Sequence, residues 1–452
     1  REMQTSAHVR LIPVGFIDDD PLKIGRQIRG VRVLGTRENL ATVAKQTDAQ
    51  VAVIAMPSVS GKVIRETVEQ CRAIGLESRI IPGIYELLDG RVTTRRLRNV
   101  QLNDLLRRES HAADLNFVAT YLTKQHVLVT GAGGSIGSEL CRQIARAAPS
   151  RLILLGHGEN SIFEIHNELN RRYPQIDLVP VIADIRDRER LLKIFERYNP
   201  QAVFHAAAHK HVPLMETNPS EAITNNVIGT ANILAACEAA KVTRFVLVST
   251  DKAVRPTNIM GLSKRFAELL VIATAQRTQQ AYVAVRFGNV LGSRGSVVPI
   301  FENQIAQGGP ITITHPEIKR FFMTIPEAAR LIMRAGSIGS GGEIFVLDMG
   351  EQIRIVDLAT DLLRLSGLEA GRDIEIVFTG LRLGEKMEEE LFDPNETYRH
   401  TDDQRIFVIT NQKPLDLPQL NLSINELATM SSRNHANLLE EAQTILGKMT
   451  AH

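Results

Sequence analysis

Seven residues, Gly131-Ala132-Gly133-Gly134-Ser135-Ile136-Gly137, constrain the fold of this chain more than any others because of what flanks them. Before them stands the apolar run His126–Thr130, which reads as a buried strand; after them an amphipathic stretch reaching about Ala147 reads as a helix. Glycines at 131, 134 and 137 let the backbone turn from strand to helix and come close to a pyrophosphate, offering helix N-terminal amides to its charge. A glycine triplet alone is a weak signal, and its bland alternative is a tight turn with no ligand. The strand before it and the helix after it make it specific. Further strands read at Arg151–Leu155, Asp177–Ile182, Ala202–His205, Phe245–Ser249 and Tyr282–Arg286, most of them separated by helical patterns. That alternation predicts an α/β fold, a doubly wound parallel sheet with right-handed crossovers.

At 452 residues the chain is too long for one ordinary core, and several domains are expected. The sheet domain spans 125–286. Ahead of it, 1–99 reads as a smaller α/β domain with strands at Leu11–Phe16, Val51–Ala55 and Ser78–Ile81 and helices at Thr36–Thr47 and Lys62–Ile74. Between them, 100–124 reads as a helical connector carrying Leu102, Leu105, Leu106, Leu115, Val118 and Leu122. The first domain has no glycine-rich loop of its own, and the chain opens on Arg1; the expectation is a domain that has lost its natural start and that loop with it. After Arg286 the pattern turns irregular and richer in Gly and Pro, as a substrate-covering lobe over 287–400, partly interleaved with the sheet domain, would be. A polar tail over 401–452 carries a helix at Asn434–Gly447.

Hydrophobic content of 44% with 23% charged residues describes a soluble globular chain, and no run approaches membrane-spanning length. A net charge of +2 argues against a dedicated nucleic-acid binder; Arg95-Arg96-Leu97-Arg98 reads as a solvated face. Cys71, Cys141 and Cys237 stand far apart, so neither a disulfide framework nor a thiolate metal site is indicated, and no metal is expected.

A carboxylate for a ribose 2′-hydroxyl is expected about 20 residues beyond the loop. The chain has Gly156-His157-Gly158-Glu159 there. Losing the acid at the strand tip removes a partner for the 2′-hydroxyl and a repulsion against a 2′-phosphate, which makes NADP as credible as NAD. His157 either sits near the 2′ position or is solvated. Asp184 is placed to accept from an adenine amino group or, equally, to cap a helix. Ala206, Ala207 and Ala208 leave room for the chain to pass close under a cofactor, or simply pack closely. Behind the fifth strand, Ser249-Thr250-Asp251-Lys252 with Met260 and Lys264 crowds a hydroxyl, a carboxylate and two amines together. Met260 and Lys264 share a helix face. A thioether neither gives nor takes a proton, so acid and base duties fall to Thr250, Asp251, Lys252 and Lys264. The alternatives are a surface ion pair for Asp251-Lys252 and a core methionine for Met260.

Five runs carry a resemblance: Thr130 to Glu139, His205-Ala206-Ala207-Ala208-His209-Lys210-His211-Val212-Pro213, Ser249 to Ala253, Arg286-Phe287-Gly288-Asn289-Val290-Leu291-Gly292-Ser293, and Gly380-Leu381-Arg382-Leu383-Gly384-Glu385-Lys386. In order over about 124 to 400, they resemble the extended short-chain dehydrogenase/reductase family with its Rossmann fold, specifically the UDP-N-acetylglucosamine 4,6-dehydratase type of bacterial polysaccharide biosynthesis. The resemblance implies bound NAD or NADP, oxidation of the hexose at C4, loss of water across C5 and C6, and hydride return to C6. By the same resemblance Asp251 is the acid at C6, Lys252 the base at C5, Thr250 a hydrogen-bonder to the C4 oxygen, and Lys264 a neighbour of the nicotinamide ribose, with Met260 where the family's smaller members carry Tyr. For Lys252 to act as a base its pKa must fall, and for Asp251 to hold a proton its own must rise, opposite demands on adjacent residues. The cofactor set it implies includes Gly131, Gly134, Ser135, Ile136, Gly137, His157, Asp184, Ile185, Ala206 to Ala208, Asn226 and Lys264. The UDP-sugar set includes Lys210, Asn289, Arg294, Ser296, Val298, Arg320, Arg382 and Glu385, with Leu383 where Pro is common. A homo-oligomer is implied, as is a full-length protein at the cytoplasmic face of the bacterial inner membrane, anchored through segments absent from this chain. A C4 epimerase of the same fold and a non-catalytic UDP-sugar binder are the alternatives.

Overall fold

A computed structural model describes residues 11–56, 59–81, 98–105, 121–412, 414–432 and 438–450. The chain divides into two compact units, 1–113 with 364–367, and 114–363 with 368–452.

In the first unit Phe16–Ile17, Val31–Gly35 and Gln27–Ile28 form one three-stranded sheet, with Val31–Gly35 in the middle. A second joins Val51–Ile54 in parallel to Glu77–Ile80, with Arg98–Asn99 at its edge. Helices Leu40–Thr47 and Gly61–Ala73 follow the expected periodicity, and Ile54, Ile64, Ile80, Val100 and Leu105 gather into a small core. The strand expected over Leu11–Phe16 begins only at Phe16. A strand not anticipated, Val31–Gly35, alternates buried and exposed residues, the signature of a half-buried strand. Much of the expected connector, with Leu106, Leu115 and Val118, and most of the Arg95–Arg98 cluster lie outside the described residues.

In the second unit, nine strands form one sheet in the order Tyr398–His400, Ile406–Ile409, Ile344–Leu347, Ala281–Arg286, Arg244–Val248, Ala202–His205, His126–Thr130, Arg151–Gly156, Asp177–Ile182. The seven from Ile344 to Asp177 pair in parallel, and the first two add antiparallel pairings at the edge. Parallel strands covered on both faces are apolar throughout, as in Val127, Leu128 and Val129, all fully buried. The order reverses between His126–Thr130 and Ala202–His205. In a doubly wound sheet, ligands bind beyond the carboxyl ends of the strands at that reversal.

The lobe expected over 287–400 is woven into this sheet through Ile344–Leu347 and Tyr398–His400, and the expected tail supplies Ile406–Ile409. The tail also carries two helices, Leu417–Ser432 and Leu438–Thr450, where one was expected; 433–437 lie outside the described residues. Leu420, Ile424, Leu427, Leu438, Ala442 and Leu446 join the same core as the helix Ile259–Thr278. That helix is apolar nearly all round, and its sides are buried accordingly.

Candidate active site

Gly131, Gly134 and Gly137 of the glycine-rich turn each have a separate job. Gly131 holds φ +63°, a left-handed conformation other residues adopt at a cost, and a β-carbon there would meet the Ala206–Ala207 backbone at 2.8 Å. At Gly137 a β-carbon would stand 2.1 Å from the Gly131 carbonyl oxygen, so the helix sits hard against the turn. Gly134, the N-cap of the helix Ser135–Arg146, has only the Gly131 oxygen nearby, at 3.2 Å. Two glycines thus serve the protein's own packing, while the third presents bare backbone at a helix N-terminus, the fit a pyrophosphate requires.

The floor beside this turn is tied together by His205 at the end of its strand. The buried His205 Nδ1 lies 2.6 Å from Thr130 Oγ1, its Nε2 lies 3.0 Å from Thr230 Oγ1, and the Ala207 amide donates to Thr130 Oγ1 at 3.3 Å. Burial, helped by Lys264, pushes the His205 pKa down to about 3, so the imidazole is neutral. Asn226, on the π-helical turn Ala222–Ile228, clamps the next residues: its Oδ1 accepts from the His209 amide at 2.8 Å and its Nδ2 donates to the His209 carbonyl at 2.9 Å and to Ser263 Oγ at 2.9 Å. With Asn225 also donating to its oxygen, the Asn226 amide is fully used in holding the 206–209 loop.

His157 is exposed at the tip of the second strand. Asp184 accepts from the Arg186 amide at 2.9 Å and from its guanidinium at 2.7 Å, and these bonds hold its carboxyl below the usual range. The helix Arg188–Tyr198 is capped by Asp187, which accepts from the Arg190 amide, so the capping role considered for Asp184 falls to its neighbour. Ile185 is buried against Gly229.

Thr250, Asp251 and Lys252 leave the carboxyl end of Arg244–Val248, two strands from the glycine turn, as a short 3₁₀ turn. Asp251 is fully buried. Its Oδ1 accepts from Thr250 Oγ1 at 2.9 Å and from Lys252 Nζ at 3.0 Å, while its Oδ2 has no hydrogen-bond partner among the described residues. Lys252 Nζ also donates to Asn289 Oδ1 at 3.3 Å and stands 3.6 Å from Glu389 Oε1. Burial alone would lower the Lys252 pKa, but the Asp251 and Glu389 carboxylates reverse this and hold it above the usual lysine range. The fall in pKa that base action by Lys252 calls for is therefore opposed by its own neighbours. Lys264, buried on the helix Ile259–Thr278, is the amine that burial does depress, to about 8. Met260 is buried one turn before it, in the apolar core.

Ser296 carries a buried hydroxyl with no partner among the described residues, and Lys210 Nζ lies 3.3 Å from Ser293 Oγ. Arg382 is exposed; its amide donates to Glu385 Oε2 at 3.1 Å. Arg320 is buried and donates to the Lys319 and Met387 carbonyls at 2.7 and 3.1 Å and to Glu385 Oε1 at 3.4 Å; Thr314 also donates to that oxygen. Val298 is buried. Arg294, expected with the sugar nucleotide, lies on the glycine turn: its amide donates to Ser135 Oγ at 3.2 Å and its guanidinium to the Gly133 carbonyl at 3.4 Å.

Two groups escaped the sequence reading. Glu389 hides within Glu388-Glu389-Glu390, whose outer members pair with Lys319 and with Arg255 and Lys386, while the middle one is buried. Glu268 is the single acidic residue of the largely apolar helix Ile259–Thr278, a signal available in the sequence. It accepts from Ser249 at 2.7 Å, from Arg265 at 2.8 Å and twice from buried Arg286 at 2.9 Å; Arg286 also pairs with Glu396.

The profile of the polysaccharide biosynthesis protein family matches residues 127–411. The chain belongs to that family. It is 48% identical over 401 residues to the capsular polysaccharide biosynthesis protein CapD of Staphylococcus aureus, covering 88% of this chain and 67% of the relative. To the UDP-N-acetylglucosamine 4,6-dehydratase (inverting) of Campylobacter jejuni it is 30% identical, covering 67% of this chain and 88% of that enzyme. Among solved structures, Pen from Bacillus thuringiensis superposes with a TM-score of 0.60 at 34% identity, over 64% of this chain and 90% of that one. Members of the polysaccharide biosynthesis family are extended short-chain dehydrogenases/reductases, and this chain has their parallel sheet.

Proposed function

We propose that this chain is a nucleotide-sugar 4,6-dehydratase acting on UDP-N-acetylglucosamine or a close relative, with NAD or NADP held on the glycine turn. One observation carries the reading: a buried acid with a free oxygen, Asp251, shares a turn with Lys252 and Thr250 at the carboxyl ends of the strands, near the topological reversal. A C4 epimerase needs hydride and proton transfer at C4 but no proton carriers for C5 and C6, whereas removal of water needs groups that give and take protons at those two carbons.

Bound NAD(P)+ would supply the hydride acceptor at C4 and return the hydride at C6. The protein's part is proton traffic. Thr250, donating to Asp251 Oδ1, is built to pass the C4 hydroxyl proton to that carboxylate. A proton delivered from Asp251 to the C6 oxygen leaves with it as water, and the C5 proton taken by the neighbouring base goes back to C5 when C6 receives the hydride. The proton gained from the C4 hydroxyl replaces the one lost in water, so the protein ends the cycle as it began. Lys264 beside the nicotinamide ribose would favour loss of the C4 hydroxyl proton through its charge. Ser296 and Asn289 are the polar groups best placed for the sugar nucleotide, with Arg382 free to reach a diphosphate.

Location at the inner membrane and assembly into a homo-oligomer belong to the same reading. Among the described residues no helix is long and apolar enough to cross a membrane.

Incubation with UDP-N-acetylglucosamine and NAD+, followed by mass spectrometry, tests it. Loss of one water is expected. An isobaric product would instead support epimerisation, the activity named for a UDP-glucose 4-epimerase of Rickettsia rickettsii that is 36% identical over 283 residues. Unchanged substrate would support binding alone.

A further inference from the structure

Two buried carboxylates, Asp251 and Glu389, flank one ammonium, that of Lys252, whose side chain stays 17% exposed. Asp251 comes from the end of one strand, and Glu389 from a separate segment held to Lys319–Arg320, where Met387 accepts from the Lys319 amide at 3.0 Å and from Arg320. The other charged group acting on Lys252 is Arg320, which Glu385 already neutralises. Asn289, the remaining polar contact of Lys252, is uncharged. Two carboxylates on one ammonium leave the three side chains with one net negative charge, and a proton placed on either carboxylate makes the group neutral. Each carboxylate keeps one oxygen without a hydrogen-bond partner among the described residues, Asp251 Oδ2 and Glu389 Oε2, so either has an atom to receive that proton.

We infer that Glu389 is a positioning residue of the reaction centre: it holds Lys252 when Asp251 carries a proton, so the acid is loaded while the lysine stays in place. The inference rests on the dehydratase reading for its meaning, though the cluster's proton uptake stands apart from it. It resolves the opposite demands on the two neighbours. With Asp251 protonated, a proton passing from Lys252 Nζ to Glu389 leaves a neutral amine beside a neutral acid at no change in total charge. The amine then takes the C5 proton as Asp251 gives its own to the departing oxygen, so the group gives one proton and gains one.

The test compares wild type with Glu389→Gln, which keeps the shape and removes the charge, and Glu389→Asp, which keeps the charge. Two readouts are taken: the pH dependence of Lys252 acetylation in competitive labelling, followed by mass spectrometry, and the pH profile of water loss from UDP-N-acetylglucosamine. In Glu389→Gln the Lys252 labelling midpoint is expected to fall by one pH unit or more, and turnover at pH 7.5 to drop at least tenfold with its alkaline limb moved to lower pH, while UDP affinity stays within about twofold. Glu389→Asp is expected to restore the wild-type midpoint and the shape of the profile. Unchanged midpoint and profile in Glu389→Gln would overturn the inference. So would loss of UDP binding in Glu389→Gln with its return in Glu389→Asp, which would make the role one of folding. A midpoint that falls in Glu389→Gln while the wild-type chain removes no water would sink the dehydratase reading and leave the cluster standing.

Discussion

Two buried charge clusters meet at consecutive residues of one turn, and they are finished differently. Ser249 belongs to the first, where both Glu268 oxygens accept two hydrogen bonds each and Arg286 is shared with Glu396. Thr250 opens the second, where Asp251 and Glu389 each keep an oxygen that has no hydrogen-bond partner among the described residues. The first is saturated, and it joins the helix Ile259–Thr278 to the strand Ala281–Arg286 and the 393–396 segment. The second is left incomplete where substrate would lie. Saturated charges fix a fold, while an incomplete set in a native site marks a place for chemistry.

The contrast breaks if the two clusters respond alike to mutation. The largest effect is expected in the incomplete one: Asp251→Asn should cut water loss by about 10²–10⁴-fold, the usual worth of a general acid. Its thermal unfolding should stay close to wild type, because the substitution removes a charge that lacks half its partners. Product mass and calorimetry on the same sample check both halves; an unfolding midpoint that collapses together with activity would erase the distinction.

Next in size is Glu268→Gln, expected to destabilise by about 3–5 kcal/mol because Arg286 is left buried without its main counter-ion. Burial opposes the Glu268 charge, yet Arg286 and Arg265 hold its pKa at about 2, below the ordinary 4.5. A depressed carboxylate contributes stability above its unfolded pKa and loses it as pH falls through the folded one. The gap between wild type and Glu268→Gln should therefore be full above pH 4.5 and shrink towards pH 2, as urea titrations across that range would reveal.

The smallest expected change sharpens the comparison from the other side. Lys264 is buried with its pKa near 8 instead of 10.5, so below pH 8 its charge costs the fold about 3 kcal/mol. The unfolded chain holds that proton up to about 10.5, so stability should rise with pH between 8 and 10.5. Lys264→Met should be more stable than wild type at pH 7, lose that advantage by pH 10.5, and slow hydride transfer, read as absorbance at 340 nm. Equal stability at pH 7 would count against a functional burden on this residue.

What the sequence disclosed follows from periodicity. The apolar strands from His126 to Arg286 and the glycine turn are local patterns, legible without tertiary knowledge, and so was the crowding at 249–252. The edge strands were not: Ile406–Ile409 is a four-residue run in polar surroundings, and nothing local says which sheet it joins. Glu389 was invisible because one glutamate of three is buried by an irregular segment with no period to read. The contact of Arg294 with the glycine turn was not legible either, because it spans 159 residues, to Ser135. Glu268 was legible in principle, as a charge in an apolar helix.

The imidazole under the glycine turn carries a practical consequence. Because burial holds the His205 pKa down at about 3, this imidazole keeps one protonation state through neutral and mildly acidic solution. An inflection near pH 8 on the coenzyme side therefore points to Lys264 and not to this imidazole.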